Sequence, residues 1–149
     1  MTRFARVQRH DSPAAVPRRR RTAQQQAVLD MLGGSDHFRS AQQLHLELNR
    51  QRPLRVGLAT VYRILQTFTD QRTVETQRAE DGETLYRLRT DNGHHHYLLC
   101  RRCGHAVGFT PTTLEQHTSH LARQHGFADV THHIDLYGIC PRCADAPCG

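Results

Sequence analysis

Residues 57–71 read GLATVYRILQTFTDQ. Leu58, Val61, Leu65 and Phe68 recur there at i, i+3, i+7 and i+10, the spacing of one apolar face on an α-helix. That face must pack against neighbouring elements, which leaves Thr60, Tyr62 and Arg63 pointing away from it. The upstream chain supplies the neighbours. From Arg18 to Leu32, the residues Ala27, Val28, Met31 and Leu32 fall at helical spacing, and Gly33 and Gly34 stop the run. A second helix opens at Ser40, which forms a capping box with Gln43. Ala41, Leu44 and Leu48 give it an apolar stripe, and Pro53 ends it. Downstream, TVETQR (73–78) and ETLYRL (83–88) alternate around Asp81-Gly82, the pattern of a β-hairpin.

Three short helices followed by a two-stranded hairpin is the order of a winged helix-turn-helix. In that arrangement the third helix enters the major groove of double-stranded DNA and its early residues reach base edges. Arg63 can donate two hydrogen bonds to a guanine edge, and Tyr62 can lay its ring on a thymine methyl or bond a phosphate. Thr60 lies on the same outward side. Arg18 to Arg21, Arg20 among them, precede the first helix and suit phosphate contacts or a minor groove. The bland alternative is a solvated helix face on which Arg63 makes a surface salt bridge.

Charge divides the chain. Residues 1–89 hold 16 arginines against nine acids, whereas residues 90–149 hold four against five, within a formal net charge of +6. All five cysteines and nine of the twelve histidines lie in the second segment. The expected organisation is a disordered basic tail (1–17), a winged-helix DNA-binding domain (18–89) and a metal-binding domain (90–149), with the boundary near RTDNG (89–93). A basic half points to a polyanion. An apolar fraction of 37% supports a modest core, so a small second domain needs a metal or a partner subunit. No apolar run approaches the length of a membrane span, and Pro13 and Pro17 break the amphipathic helix of a transit peptide. A soluble cytoplasmic protein is expected, and cytosolic thiols stay reduced, so its paired cysteines read as metal ligands.

The paired motifs are Cys100-x-x-Cys103 and Cys140-x-x-Cys143. Each lets two thiolates grip one ion from a tight turn, and two such knuckles complete a tetrahedron around Zn²⁺. The insert between them has room for a strand (105–109), a helix (112–125) and another strand (130–139). A closed four-thiolate shell has no open position, which makes it structural rather than catalytic. A redox pair is the rival reading, and two paired motifs favour zinc. Cys148 is left over as a free thiol. HHHYLLC (94–100) reads as a strand, so His94 and His96 share one face while His95 and Tyr97 share the other. Two imidazoles two residues apart can chelate one ion, with Glu115 and either His132 or His133 as partners. That donor set suits Zn²⁺, and also Fe²⁺ or Mn²⁺. Against it stands an exposed polar hairpin, with Glu115 merely closing a capping box with Thr112.

ATVYRIL (59–65), SAQQLHLEL (40–48) and HHHYLLCRRCG (94–104) with the terminal C-x-x-C resemble the ferric uptake regulator family. HFRSAQQLH (37–45) and RQHGFADVTHHIDLYGIC (123–140) are most similar to its zinc uptake regulator branch. The resemblance runs from about residue 18 to residue 143. It implies an α+β chain in which an N-terminal winged helix-turn-helix domain joins a C-terminal α/β dimerisation domain with a four-cysteine zinc site. It further implies a homodimeric repressor of metal-uptake genes that binds a palindromic operator with metal as corepressor. The structural site falls on Cys100, Cys103, Cys140 and Cys143, and a regulatory site on His94, His96, Glu115 and His132.

A third family site, at the hinge between the domains, is incomplete. His95 is in place and Glu75 stands where the zinc branch has aspartate. Arg89, however, lies near that branch's cysteine, and Tyr97 replaces its second histidine. Such a site is weakened, rebuilt with a residue such as His37, or absent. Gln25 also departs from an arginine common in the family's first helix. The alternatives are an iron, manganese or peroxide sensor of the same family, a zinc-ribbon module that binds protein, or an enzyme. No H-E-x-x-H occurs, and HLE (45–47) lacks the P-C-x-x-C that a zinc deaminase needs downstream, so neither catalysis nor a small-molecule substrate is expected.

Overall fold

The computed structural model describes residues 20–51, 55–91, 93 and 95–146. The expected tail at 1–17, together with Arg18, Arg19, Pro53, His94 and Cys148, lies outside the described residues. The first helix, α1 (Ala23–Gly33), starts later than the apolar periodicity predicts. Thr22 caps it: its hydroxyl accepts from the Gln25 amide at 3.2 Å, while the Gln25 side chain accepts from the Thr22 amide at 3.0 Å. Gln25 is thus the returning half of a capping box, a local reason for glutamine at that position. The short β1 (Arg39–Ser40) leads into α2 (Ala41–Gln51). There the Ser40–Gln43 box forms with bonds of 2.9 and 3.1 Å. Asn49 then exchanges hydrogen bonds with the amide and carbonyl of Val56, at 3.2 and 3.1 Å. This fastens the end of α2 to the start of α3 (Leu58–Asp70).

The α3 stripe packs as its spacing demands. Val61, Ile64, Leu65 and Phe68 are buried against Val28, Leu29 and Leu32 of α1 and Leu44 and Leu48 of α2, with Leu58 half-buried at the end. Val74 and Tyr86 close this core from the wing, an antiparallel hairpin of β2 (Val74–Arg78) and β3 (Thr84–Leu88). Gly82 turns the hairpin at φ 90°, a conformation that favours glycine. The first sheet has the order β1-β3-β2.

The second half contains β4 (His96–Cys100), β5 (Ala106–Phe109), α4 (Thr112–His125), β6 (Asp135–Gly138) and α5 (Pro141–Asp145). Its sheet has the order β5-β4-β6, with β5 antiparallel and β6 parallel to β4. A parallel pair needs a long crossover, and the chain through α4 supplies it. The last strand is shorter than the expected 130–139 because β4 offers it partners only from Tyr97 to Cys100.

A second buried cluster, Phe38, Leu85, Tyr97 and Leu99, straddles the charge boundary, with Ala79, Ala106 and Tyr137 packed against it. Polar ties follow the same seam. Gln77 donates to Asp135 at 2.8 Å, the Tyr137 hydroxyl donates to the Arg78 carbonyl at 2.8 Å, and Arg101 pairs with Glu80 at 2.8 Å.

Candidate metal centres and nucleic-acid face

The four knuckle cysteines converge. Their sulfurs lie within 4.8 Å of one another, and Cys103 Sγ stands 3.7 Å from Cys140 Sγ. Thiolates at about 2.3 Å from one tetrahedral ion lie about 3.8 Å apart, so this set fits zinc. The turn geometry explains the convergence. The amide of Gly104 donates to the Cys100 carbonyl at 3.0 Å, and the amide of Cys143 donates to the Cys140 carbonyl at 3.0 Å. Burial alone would push the Cys100 thiol up. The amides of Cys140, Cys103 and Arg102 turn toward that sulfur and bring its pKa down to about 6. Burial raises the Cys103 thiol instead, and the neighbouring sulfurs add to the rise. Cys100 therefore stands ready as the thiolate, which is the ligating form.

This knuckle is welded to the winged half. The Phe38 amide donates to the Gly104 carbonyl at 2.9 Å, His37 Nδ1 lies 3.0 Å from the Cys103 carbonyl, and Arg142 Nη2 lies 3.3 Å from His37 Nε2. His37 is thus engaged at the knuckle. Gly104 sits at φ 77°, and a Cβ there would lie 2.1 Å from the Phe38 carbonyl oxygen. Gly104→Ala therefore combines left-handed backbone strain with a backbone clash. It should destabilise the protein by about 3 kcal/mol or more, as read by denaturant unfolding with zinc present. An unchanged midpoint would show that the two turns are not in contact.

A second ligand group forms around His96. Its Nε2 lies 3.2 Å from His132 Nε2 and 3.7 Å from Glu115 Oε1, and the three donor atoms fall within 4.8 Å of each other. Two imidazole nitrogens bound to one tetrahedral ion stand about 3.3 Å apart, so the trio also fits Zn²⁺. β4 presents His96 on the face toward α4, Glu115 comes from the first turn of α4, and His132 from the segment before β6. His96 is buried, the other two are half-buried, and His133 is exposed, so geometry selects His132 from the pair that spacing left open.

Among the described residues, Glu75 and His95 join no comparable cluster. His95 Nε2 pairs with Asp91 at 2.7 Å. Glu75 is held by Arg87, its cross-strand partner in the wing, with Nη2 to Oε1 at 2.6 Å and Nε to Oε1 at 2.9 Å. The Tyr97 hydroxyl donates to Glu75 Oε2 at 3.0 Å and accepts from Arg87 Nη2 at 3.0 Å. Burial and then the Glu75 carboxylate push the Tyr97 phenol up to about 12. The guanidinium carbon sits 4.6 Å from the Phe38 ring centre and 4.9 Å from that of Tyr97, and Arg87 also donates to the Asp36 carbonyl at 3.2 Å. Sequence reasoning missed Arg87 and Phe38. Opposite charges at paired hairpin positions were the available signal.

On the outer side of α3, Arg63 and Tyr62 are exposed, Thr60 is half-buried, and Arg63 Nη2 donates to Thr60 Oγ1 at 3.2 Å. Arg20 and Arg21 are exposed ahead of α1. A winged helix that exposes Arg63 on its third helix, fused to a sheet that carries a four-cysteine knuckle, defines a metal-responsive transcriptional regulator.

The profile of the ferric uptake regulator family matches residues 18–137. Over 124 residues the chain is 42% identical to the zinc uptake regulation protein of Mycobacterium tuberculosis (strain ATCC 25618 / H37Rv), covering 83% of this chain and 94% of that relative. The fold matches the Vibrio cholerae ferric uptake regulator with a TM-score of 0.63 at 30% identity, over 81% of this chain and 92% of the other. It also matches a zinc uptake regulator complexed with zinc and DNA, with a TM-score of 0.62 at 27% identity, over 83% of each chain. The chain belongs to the ferric uptake regulator family.

Proposed function

We propose that this chain is a zinc-responsive, homodimeric repressor of metal-uptake genes, acting in the cytoplasm on a palindromic operator and catalysing no reaction. The observation that carries this reading is the His96–Glu115–His132 group, which is separate from the closed thiolate shell and drawn from three elements. In this reading the winged helix up to residue 89 binds DNA, and the segment from residue 90 onward binds metal and dimerises. No helix among the described residues is long and apolar enough to cross a membrane.

Cys100, Cys103, Cys140 and Cys143 hold a structural zinc. His96, Glu115 and His132, joined by His94 from outside the described residues, hold the sensed ion. The resemblance to a zinc uptake regulation protein favours zinc over the Fe²⁺ or Mn²⁺ that the same donors accept. When bound, the ion supplies a cationic tie among β4, α4 and the segment before β6. Helix α4 buries none of its own residues, and Leu114, Leu121, Phe127, Val130 and Leu136 are exposed around it. A second copy is proposed to cover that apolar surface. The metal-loaded dimer then sets two winged helices at the separation of successive half-sites. DNA must tighten metal binding by the same factor by which metal tightens DNA binding.

The test uses a duplex recovered by the zinc-loaded protein from a randomised pool. Binding should rise with buffered free zinc and fall on chelation, and zinc-independent binding would overturn the reading. On that duplex Arg63→Ala should cost about 1–3 kcal/mol and relax base preference. Arg20→Ala should weaken all sequences alike and flatten the salt dependence. Equal, salt-only losses from both would make Arg63 a backbone contact.

A further inference from the structure

The seam between the two halves carries a cation of its own. Glu75 of β2, Arg87 of β3 and Tyr97 of β4 form a closed ring of hydrogen bonds, described above, between 2.6 and 3.0 Å. The side chains of Glu75 and Arg87 are each only 13% exposed, and Tyr97 is buried. The guanidinium is also flanked by the rings of Phe38 and Tyr97. Three of these residues come from the winged half and one from the second sheet, so Tyr97 is the strut that crosses the seam.

This is where the family resemblance expects a hinge metal, and the residues do not fit one. Glu75, the carboxylate assigned to that ion, already has both oxygens engaged. The nearest neighbour of that carboxylate is a permanent positive charge, which repels a divalent cation. Tyr97 is held as the neutral phenol, donating to the carboxylate. His95, the other expected ligand, is turned to Asp91.

We infer that Arg87 is a built-in cation that clasps the winged helix to the second sheet, in place of a metal ion at the hinge. A planar guanidinium suits the role. It can fork onto one carboxylate oxygen, reach a hydroxyl and stack between two rings at once. The clasp is therefore independent of the metal supply, and changes in free zinc act elsewhere in the chain. The inference bears on the proposed sensing role, but its test requires no DNA and so fails or succeeds separately.

The full-length protein is saturated with zinc, dialysed, and its zinc counted per chain. Glu75→Gln is expected to match the parent count, because Glu75 ligates nothing. Tyr97→His is expected to add no ion, since Arg87 still holds the carboxylate. Loss of one ion in Glu75→Gln, or gain of one in Tyr97→His, overturns the inference.

The second measurement is protease cleavage in residues 89–95, between β3 and β4. Arg87→Ala should raise the cleavage rate at least about tenfold, because breaking a buried pair leaves Glu75 uncompensated. Tyr97→Phe keeps the ring in its cluster and deletes only the strut's hydroxyl. It should raise cleavage less, in the same direction, which keeps the test valid if Arg87→Ala fails to fold. Parental cleavage in both variants would show that the clasp holds nothing.

Discussion

Cys100→Ser and Cys140→Ser are each expected to lose the thiolate zinc and, with it, the fold of the second half. The sheet β5-β4-β6 has little apolar core to fall back on. Tyr97 and Leu99 of β4 belong to the cluster shared with Phe38 and Leu85, and no residue of α4 is fully buried. Structural zinc contributes about 10–16 kcal/mol of apparent binding energy in small zinc domains, and in a site of this kind binding energy is folding energy. A whole domain is stable by only about 5–15 kcal/mol, so the loss cannot be absorbed. Serine preserves shape but not the soft thiolate, and at position 100 it also replaces the sulfur that the Cys140 amide faces at 3.3 Å with a smaller, harder oxygen. Zinc content, thermal unfolding and the mass of the assembly decide the matter. A zinc-loaded dimer with an unchanged transition in either variant would sink the structural assignment.

His96→Ala and Glu115→Ala are expected to do the opposite: to leave a folded, thiolate-loaded dimer that no longer answers to zinc. The trio lies on the α4 side of β4, and neither substitution touches a sulfur. Coupling between two sites typically amounts to about 1–3 kcal/mol, or roughly 5–150-fold in affinity. Most of that range should vanish, so operator affinity becomes nearly flat across buffered free zinc. His95→Ala is the control, because His95 bonds Asp91 and is not part of the trio. If His96→Ala keeps the parental response while His95→Ala loses it, sensing resides at the hinge, and both the assignment of His96 and the clasp at Arg87 fall together.

What could be read from the sequence was what is local. The α3 stripe, the Ser40–Gln43 box and the wing hairpin each follow from neighbours within one turn or one strand pair. Parity along HHHYLLC separated His96 from Tyr97, and the two side chains do reach different partners, His132 and Glu115 on one side, Glu75 and Arg87 on the other. The misses were local competitions or distant pairings. Thr22 and Gln25 capped α1 where apolar periodicity alone would have started it at Arg18. The parallel pairing of β6 with β4 depends on a crossover that no short window reports. Arg87 escaped notice because its meaning lies in Phe38, far away in sequence, and in Tyr97, which joins it only once the two halves have packed.

Phe38 bears on whether this chain can be treated as two interchangeable cassettes. It lies well inside the basic segment, yet it is only 1% exposed because Tyr97 and Leu99 cover it and Gly104 meets its backbone. A cut at the charge boundary would strip that cover, leaving an aromatic ring and Leu85 facing water at about 1.5–3 kcal/mol for each side chain. The piece that can be transplanted between relatives is therefore not the winged helix alone. It is the winged helix together with β4 and the Cys103–Gly104 turn, and a chimera joined at residue 90 inherits a mismatched seam.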